Sequence, residues 1–265
     1  MRDIFRVSNI FWKHIYYDVL VNMPDFQISF LRDVGRLYFN CAHALQSSKE
    51  EFVENIESYF YQRNITPAIY IDPVSPKSLE KVLVKRGYHE IDDEKEIWYV
   101  LPKKDLDRER LAKVLHLKKK DVEFVLFYPF NDSFLLNEFL QVNAIANNIE
   151  KEVLAKLKKN MLSNKNNSIE LLCGVALKDK KVVSTNLLGF YRDYIFIAEG
   201  ATHPDFRKQG LYKQLIANCI EFVGDRDYTR MVVNCDKNSF SNNVFMSLGF
   251  SKMCERRFFQ KQINL

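Results

Sequence analysis

Apolar positions at the start of the chain recur at helical spacing. Ile4, Val7, Phe11, Ile15 and Val19 fall on one face, which predicts an amphipathic helix. Charges interrupt it, so a secretory leader is not expected. "RLYFNCAHAL" reads as a strand. Ser48 and Glu51 have the spacing of a capping box, and Phe52, Ile56, Tyr59 and Phe60 follow as a helical stripe. "PAIYI" reads as a buried strand. Ser75-Pro76 opens a helix through Leu79, Val82 and Leu83, Gly87 stops it, and "EIWYVL" is the next strand.

From Pro102 to Asp121 the pattern changes. The segment has few aromatics and many charges of both signs, as expected of a solvated linker that can carry a helix; a basic docking surface is the other reading. The expected division is therefore 1–101, a linker at 102–121, and 122–265. The second part opens with strand "VEFVLFYPF", followed by helical patterns from Phe134 to Asn143 and from Ile149 to Lys159. Leu162 to Ser168 is a polar loop. Strands "IELLCGVAL", "VVSTNLLGFY" and "YIFIAEGAT" follow, the last two joined at Arg192-Asp193. Leu211 to Val223 is a helix, "MVVNC" a strand, Phe240 to Leu248 a helix ended by Gly249, and "RRFFQKQI" a final strand. This is a mixed α/β pattern with a mixed central sheet.

The two parts echo one another. "IYIDPVSPKSLEKVLVKRGYHEIDDEKEIWYV" and "VVNCDKNSFSNNVFMSLGFSKMCERRFFQK" both run strand, loop, helix, glycine-aromatic, strand, with Gly87-Tyr88 matching Gly249-Phe250. Duplication explains the match, although the unit is common enough to arise by chance.

Composition narrows the chemistry. With 265 residues, 47% hydrophobic and 14% aromatic, the chain can bury a core. A net charge of +5 does not demand nucleic acid but favours an anionic small ligand. The Lys-rich linker lacks the aromatic-basic motif of a nucleic-acid reader, so no nucleic-acid partner is expected. Five widely spaced cysteines without a C-x-x-C argue against disulfides or zinc and for a reducing cytoplasm. The five histidines have no metal-binding spacing, and no metal is expected. No apolar run approaches the ~20 residues of a membrane span, so no membrane partner is expected.

The sharpest signal is "EGATHPDFRKQGLYKQLI", Glu199 to Ile216: a strand, a basic turn with one glycine, then a helix. Amides at a helix start are unpaired and lie at the positive end of its dipole, and a glycine lets an anion approach them. The turn is followed at suitable distance by "NSFSNNVFMSLGF", Asn238 to Phe250. Together these stretches resemble the GNAT superfamily of N-acetyltransferases: the first its acyl-CoA-binding turn, Arg/Gln-x-x-Gly-x-Gly/Ala, the second its following segment. From Val122 to the C-terminus the resemblance is one of element order. The first part resembles a degenerate copy without the glycine turn, a tandem arrangement that mycothiol synthases also show.

The resemblance implies a GNAT fold in two tandem copies, with acetyl-CoA as acyl donor. It implies that amides of Arg207, Lys208, Gln209, Gly210, Leu211 and Tyr212 hold the pyrophosphate. It further implies that Ala201 and Thr202 pair with the pantetheine arm and that Asn238 sits beside it. Two positions depart from the pattern: Tyr212 stands where a small residue is usual, and Phe245 where many members carry a proton-donating tyrosine. A thiolate leaving group, of conjugate pKa about 8.5 by analogy with cysteine, can depart with modest help. Cys235 and Tyr191 are candidate substitutes. Glu199 is the candidate base for an amine acceptor, its other reading being a strand carboxylate facing solvent or a lysine. Gly200 beside it hints at a bulge. His203 is expected on the turn, and Ser184 and Thr185 as strand residues, because no His-acid partner set is apparent. The expectation is N-acetyl transfer to the amine of a small molecule or peptide; the alternative, motivated by Phe245, is a non-catalytic acyl-CoA-binding or regulatory protein.

Overall fold

A computed structural model describes residues 2–31, 39–43, 45–117, 121–163 and 169–262. Helix α1, Arg2–Ile15, buries Ile4, Phe5, Val7, Phe11 and Ile15. It ends one turn short of the expected stripe. The Lys13 ammonium donates to the Tyr17 carbonyl at 3.1 Å, and Val19 opens a strand instead. That strand, β1 Val19–Asn22, forms a hairpin with β2 Gln27–Phe30, with Val19 opposite Phe30 and Asn22 opposite Gln27. The sequence pattern does not reveal this pair, because four-residue strands are too short to display an alternation.

Strand β3, Cys41–His43, pairs antiparallel with β2, and β4, Ala68–Ile71, pairs parallel with β3. Only these three residues of "RLYFNCAHAL" form a strand; 36–38 and 44 lie outside the described residues. Helices α2, Glu50–Tyr61, and α3, Leu79–Lys85, connect β3 to β4 and β4 to β5, Tyr88–Pro102. The capping box does not form. Lys49 is the N-cap of α2, and the Ser48 hydroxyl is bonded to that of Ser78 at 2.6 Å.

The second part runs β6 Val122–Phe127, α5 Ser133–Asn147, α6 Lys151–Ser163, β7 Glu170–Lys178, β8 Lys181–Tyr191 and β9 Tyr194–Thr202. It continues with α7 Leu211–Val223, β10 Arg230–Asp236, α8 Ser241–Ser247 and β11 Ser251–Lys261. Of the expected polar loop, 164–168 lie outside the described residues. The expected linker carries a helix, α4 Arg108–His116, capped by the Asp107 carboxylate on the Arg110 amide at 2.9 Å.

Two compact units emerge. The first comprises Met1–Trp98, Cys235–Asn238 and Cys254–Leu265; the second comprises Tyr99–Asn234 and Ser239–Met253. In the first, strands follow the order β1-β2-β3-β4-β11-β5, with β11 antiparallel to β4. Successive side chains on a strand face opposite ways. Ile28, Phe30, Ala42, Ile69 and Phe259 therefore share one face and pack with Val53, Ile56, Phe60, Leu79 and Leu83 of α2 and α3. The alternate positions carry Ser29, Cys41, His43, Tyr70, Arg256 and Phe258, all buried.

In the second unit β6, β7, β8 and β9 form an antiparallel meander, and β10 joins β9 in parallel through α7. That crossover requires a helix of this length, since parallel neighbours cannot be joined by a tight turn. α5 buries Leu136, Phe139, Leu140 and Val142; α7 buries Leu211, Leu215, Ile216, Cys219 and Ile220.

The internal echo has a structural counterpart. α3 and α8 are each seven residues long, and each is followed by a left-handed glycine, Gly87 at φ 83° and Gly249 at φ 96°, then by an aromatic residue and a strand.

Candidate active site

The site begins where β9 leaves its neighbour. β9 and β10 pair from Tyr194 and Arg230 to Ile197 and Val233, yet β9 continues to Thr202. Its register with β8 slips at the same place: Thr185 faces Ala201, whereas Leu187 faces Ala198. Glu199 and Gly200 thus stand against the single residue Asn186, a bulge where Gly200 suggested one. Glu199 adopts φ 51°, a left-handed conformation uncommon for a non-glycine residue.

A buried polar chain fixes the bulge, and the sequence reading missed it. Asn143 on α5 donates from Nδ2 to Thr185 Oγ1 at 2.9 Å, and Thr185 in turn donates to the Glu199 carbonyl at 3.4 Å. An asparagine within an otherwise apolar helical stripe is the signal that could have found it. Ser184 donates to the Ala201 carbonyl at 2.8 Å and bonds the Thr202 hydroxyl at 2.9 Å. Ser184 and Thr185 therefore hold strands, as expected. Ala201 is buried and Thr202 half-buried at the strand's end.

Beyond Thr202 the chain makes a short 3-10 turn, Pro204–Phe206. His203 accepts the Asp205 amide on Nδ1 at 3.4 Å and stands edge-on to Phe206, which makes it a turn residue. The Arg207 guanidinium donates to the Thr202 carbonyl at 3.2 Å and the Ala146 carbonyl at 3.0 Å, clamping the turn to β9 and to the end of α5. Its amide donates to Pro204 at 3.2 Å, so of the amides from 207 to 212 this one points back into the turn. Lys208 is exposed at φ 59°, and Gln209 is half-buried.

Gly210 is the N-cap of α7 at φ 75°, a conformation that costs an L-residue about 1–2 kcal/mol. A Cβ there would meet nothing within 4 Å, so the backbone is open to approach. The first helical bond is from Gln214 to the Gly210 carbonyl at 3.1 Å. The amides of Leu211 and Tyr212 precede it in the ladder and lie at the positive end of a 13-residue helix.

The Tyr212 ring crosses from α7 to β9. A Cβ on Gly200 would meet the Tyr212 hydroxyl at 2.1 Å, Cζ at 2.6 Å and Cε2 at 2.9 Å, so only glycine fits beneath the ring. On its other side Tyr212 meets Phe245 of α8 edge-on, with centroids 6.2 Å apart. Phe245 is itself 1% exposed and packs on Phe250 and Tyr99.

Tyr191 does not reach this place. It pairs with Tyr194, five positions before Glu199 and roughly 17 Å away along the strand. Cys235 is buried within the first unit, and its thiol is pushed up to about 12 by burial, then by Asp236 and Glu96, which makes it a poor acid. Asn238, exposed on the β10–α8 loop, also belongs to the first unit. Burial, then Cys219 and then Glu199 push the Cys173 thiol well up. Among the described residues, no group of three or more His, Cys, Asp or Glu could hold a metal ion, and no helix is long and apolar enough to cross a membrane.

Comparisons with known proteins agree with this geometry. Residues 139–250 match the Acetyltransferase (GNAT) family. No curated protein matches the chain in sequence. Among solved structures, a GCN5-related N-acetyltransferase from Kribbella flavida aligns over 99% of this chain and 96% of its own, at 12% identity and TM-score 0.68. A tandem GNAT protein from the clavulanic acid biosynthesis pathway aligns over 89% and 77%, at 11% identity and TM-score 0.67. A conserved protein of unknown function from Staphylococcus epidermidis aligns over 95% and 98%, at 15% identity and TM-score 0.64. At such identities the likeness is one of fold. The strand that parts from its neighbour, the bulge and the glycine-capped helix all lie inside the matched segment, and residues 139–250 are a GNAT-family acetyltransferase domain in a chain of GNAT fold.

Proposed function

We propose that the second unit is an acyl-CoA-dependent N-acyltransferase that moves an acetyl group to the amine of a small-molecule or peptide acceptor. One observation carries this reading: β9 outruns its ladder to β10 and leads, through a bulge, to the open left-handed cap of α7. An extended arm can lie along such an edge while its phosphates rest on helix amides. Lys208, Gln209, Gly210, Leu211 and Tyr212 would hold the pyrophosphate of acetyl-CoA, with Arg207 fixing the turn. Ala201 and Thr202 would pair with the pantetheine. Glu199 would take the proton of the attacking amine, and a strand amide near Ala201 would face the developing oxyanion.

In this reading residues 1–101 are a degenerate copy, 102–121 a connector and 122–265 the catalytic part, apart from Cys235–Asn238 and Cys254–Leu265, which belong to the first unit. The matched α3 and α8 units support the duplication, and five buried thiols suit a reducing cytoplasm. The test is thiol release from acetyl-CoA with a panel of amines. Wild type is expected to release thiol, and E199Q to lose ~10²–10⁴-fold in rate. Unchanged turnover in E199Q would remove Glu199 as base.

The buried phenylalanine at 245 favours a second reading, a protein that binds acyl-CoA without turning it over. Stabilisation by acetyl-CoA together with no thiol release from any amine would favour it.

A further inference from the structure

We propose that the Tyr212 hydroxyl is the group that meets the departing sulfur and gives it a proton. This rests on the reading of the second unit as an acyltransferase, and it adds a catalytic residue to it. Two departures from the family pattern, a bulky Tyr212 and an apolar Phe245, become one arrangement. Phe245 is fully enclosed and offers a flat apolar wall, against which Tyr212 stands edge-on. That wall directs the phenol toward β9, where Gly200 has no side chain to obstruct it. The hydroxyl therefore lies over the bulge, at the point where β9 parts from β10.

An arm anchored by its phosphates at Gly210 and running along β9 brings its thioester to that bulge. The step balances as follows. The amine nitrogen bonds to the acetyl carbon while Glu199 takes the amine's proton. The C–S bond breaks with its electron pair on sulfur, and the Tyr212 O–H proton passes to that sulfur. The phenolate and the Glu199 carboxylic acid then return to their starting states by proton exchange with water. The products are the N-acetyl amine and free coenzyme A. Tyr212 is half-buried and its ring packs on Gly200 and Phe245; Glu199, next to Gly200, carries the charge of the bulge.

The test needs no acceptor. Coenzyme A is bound to the full-length wild type, Y212F, Y212A and E199Q, with affinity measured by calorimetry and the bound thiol titrated by thiolate absorbance. A hydroxyl donating to the thiolate lowers the thiol's pKa from its usual value of about 8.5. The wild-type complex is expected to titrate at least about one unit below the Y212F complex, a tenfold difference in thiolate. E199Q should keep that lowering, because a carboxylate only opposes it. Equal titration in wild type and Y212F, with coenzyme A bound to both, would overturn the role of Tyr212 and leave the binding site standing. Binding by Y212A and not by wild type would also overturn it, by making the ring an obstruction. Failure of all four proteins to bind would sink the acyltransferase reading and this proposal together.

Discussion

At Gly200 a single hydrogen in place of a methyl group decides whether an aromatic ring can lie on a strand. The Tyr212 hydroxyl and two ring carbons lie within 2.9 Å of where a Cβ would be. G200A must therefore displace the ring or the strand, at an expected cost of about 1–3 kcal/mol of stability. Because ring and glycine share the space, the double variant G200A/Y212A should recover most of that loss. Urea unfolding of the two single variants and the double variant measures the coupling, and strictly additive losses would mean that the two residues do not share this space. Glycine at 200 was legible in the sequence as the hint of a bulge, and the register slip is found there. Its partner was not legible: nothing in residues 199–212 says which way a ring at the start of a helix will turn, since that depends on the wall that Phe245 provides.

At the scale of elements, the strands of the first unit put a charged network on one face and a hydrocarbon core on the other. Arg256 on β11 contacts the Asp72 carboxylate and donates to Glu96 at 3.3 Å and to His43 Nδ1 at 2.9 Å. Its guanidinium also lies 4.2 Å from the centroid of the Tyr70 ring. A guanidinium has no acceptor, so His43 Nδ1 accepts. Its Nε2 then carries the hydrogen and points it at the Ser29 hydroxyl, 3.0 Å away, and the Cys41 sulfur, 3.3 Å away. Burial raises Glu96 despite Arg256, Trp98 and Tyr70. A buried cation amid carboxylates is costly to interrupt. R256M should lose about 3–5 kcal/mol in urea unfolding, because Asp72 and Glu96 stay buried without it. Replacing the carboxylates as well, in R256M/D72N/E96Q, should restore part of that loss; a triple variant no more stable than R256M would show that the loss was one of packing. Sequence periodicity could see the alternation along β11 but not this network, whose members are separated by as many as 213 positions.

For the molecule as a whole, the network sets a sensitivity to acid. Burial, then the charge of Arg256, holds His43 well below its usual range, and burial with Lys13 lowers His14 in the same sense. The unfolded chain binds protons at these histidines at about pH 6.5, whereas the folded chain does so only at lower pH. Stability is therefore fully present above that pH and falls as pH drops below it. Glu96, raised, acts with the opposite sign. Between about pH 6.5 and 5.5 the wild type should lose stability at up to about 1.4 kcal/mol per unit for each fully shifted histidine, and H43Q should lose less. Parallel slopes for wild type and H43Q in pH-resolved unfolding would contradict the assignment.

The sequence by itself determined what is local. Helices α5 and α7, strands β7, β8 and β9, and the glycine turn at 210 follow from period, caps and the left-handed freedom of glycine, each expressed within a few residues. The resemblance carried by the turn gave the fold. Tertiary structure alone decided that β1 and β2 form a hairpin, that Ser48 bonds Ser78 instead of capping α2, and that part of the C-terminal strand completes the sheet of the first unit. It also decided where the Tyr212 ring lies. These outcomes depend on packing and hydrogen bonds between residues far apart in the chain. A local pattern of apolar and polar positions records which faces will be buried, but not what will bury them.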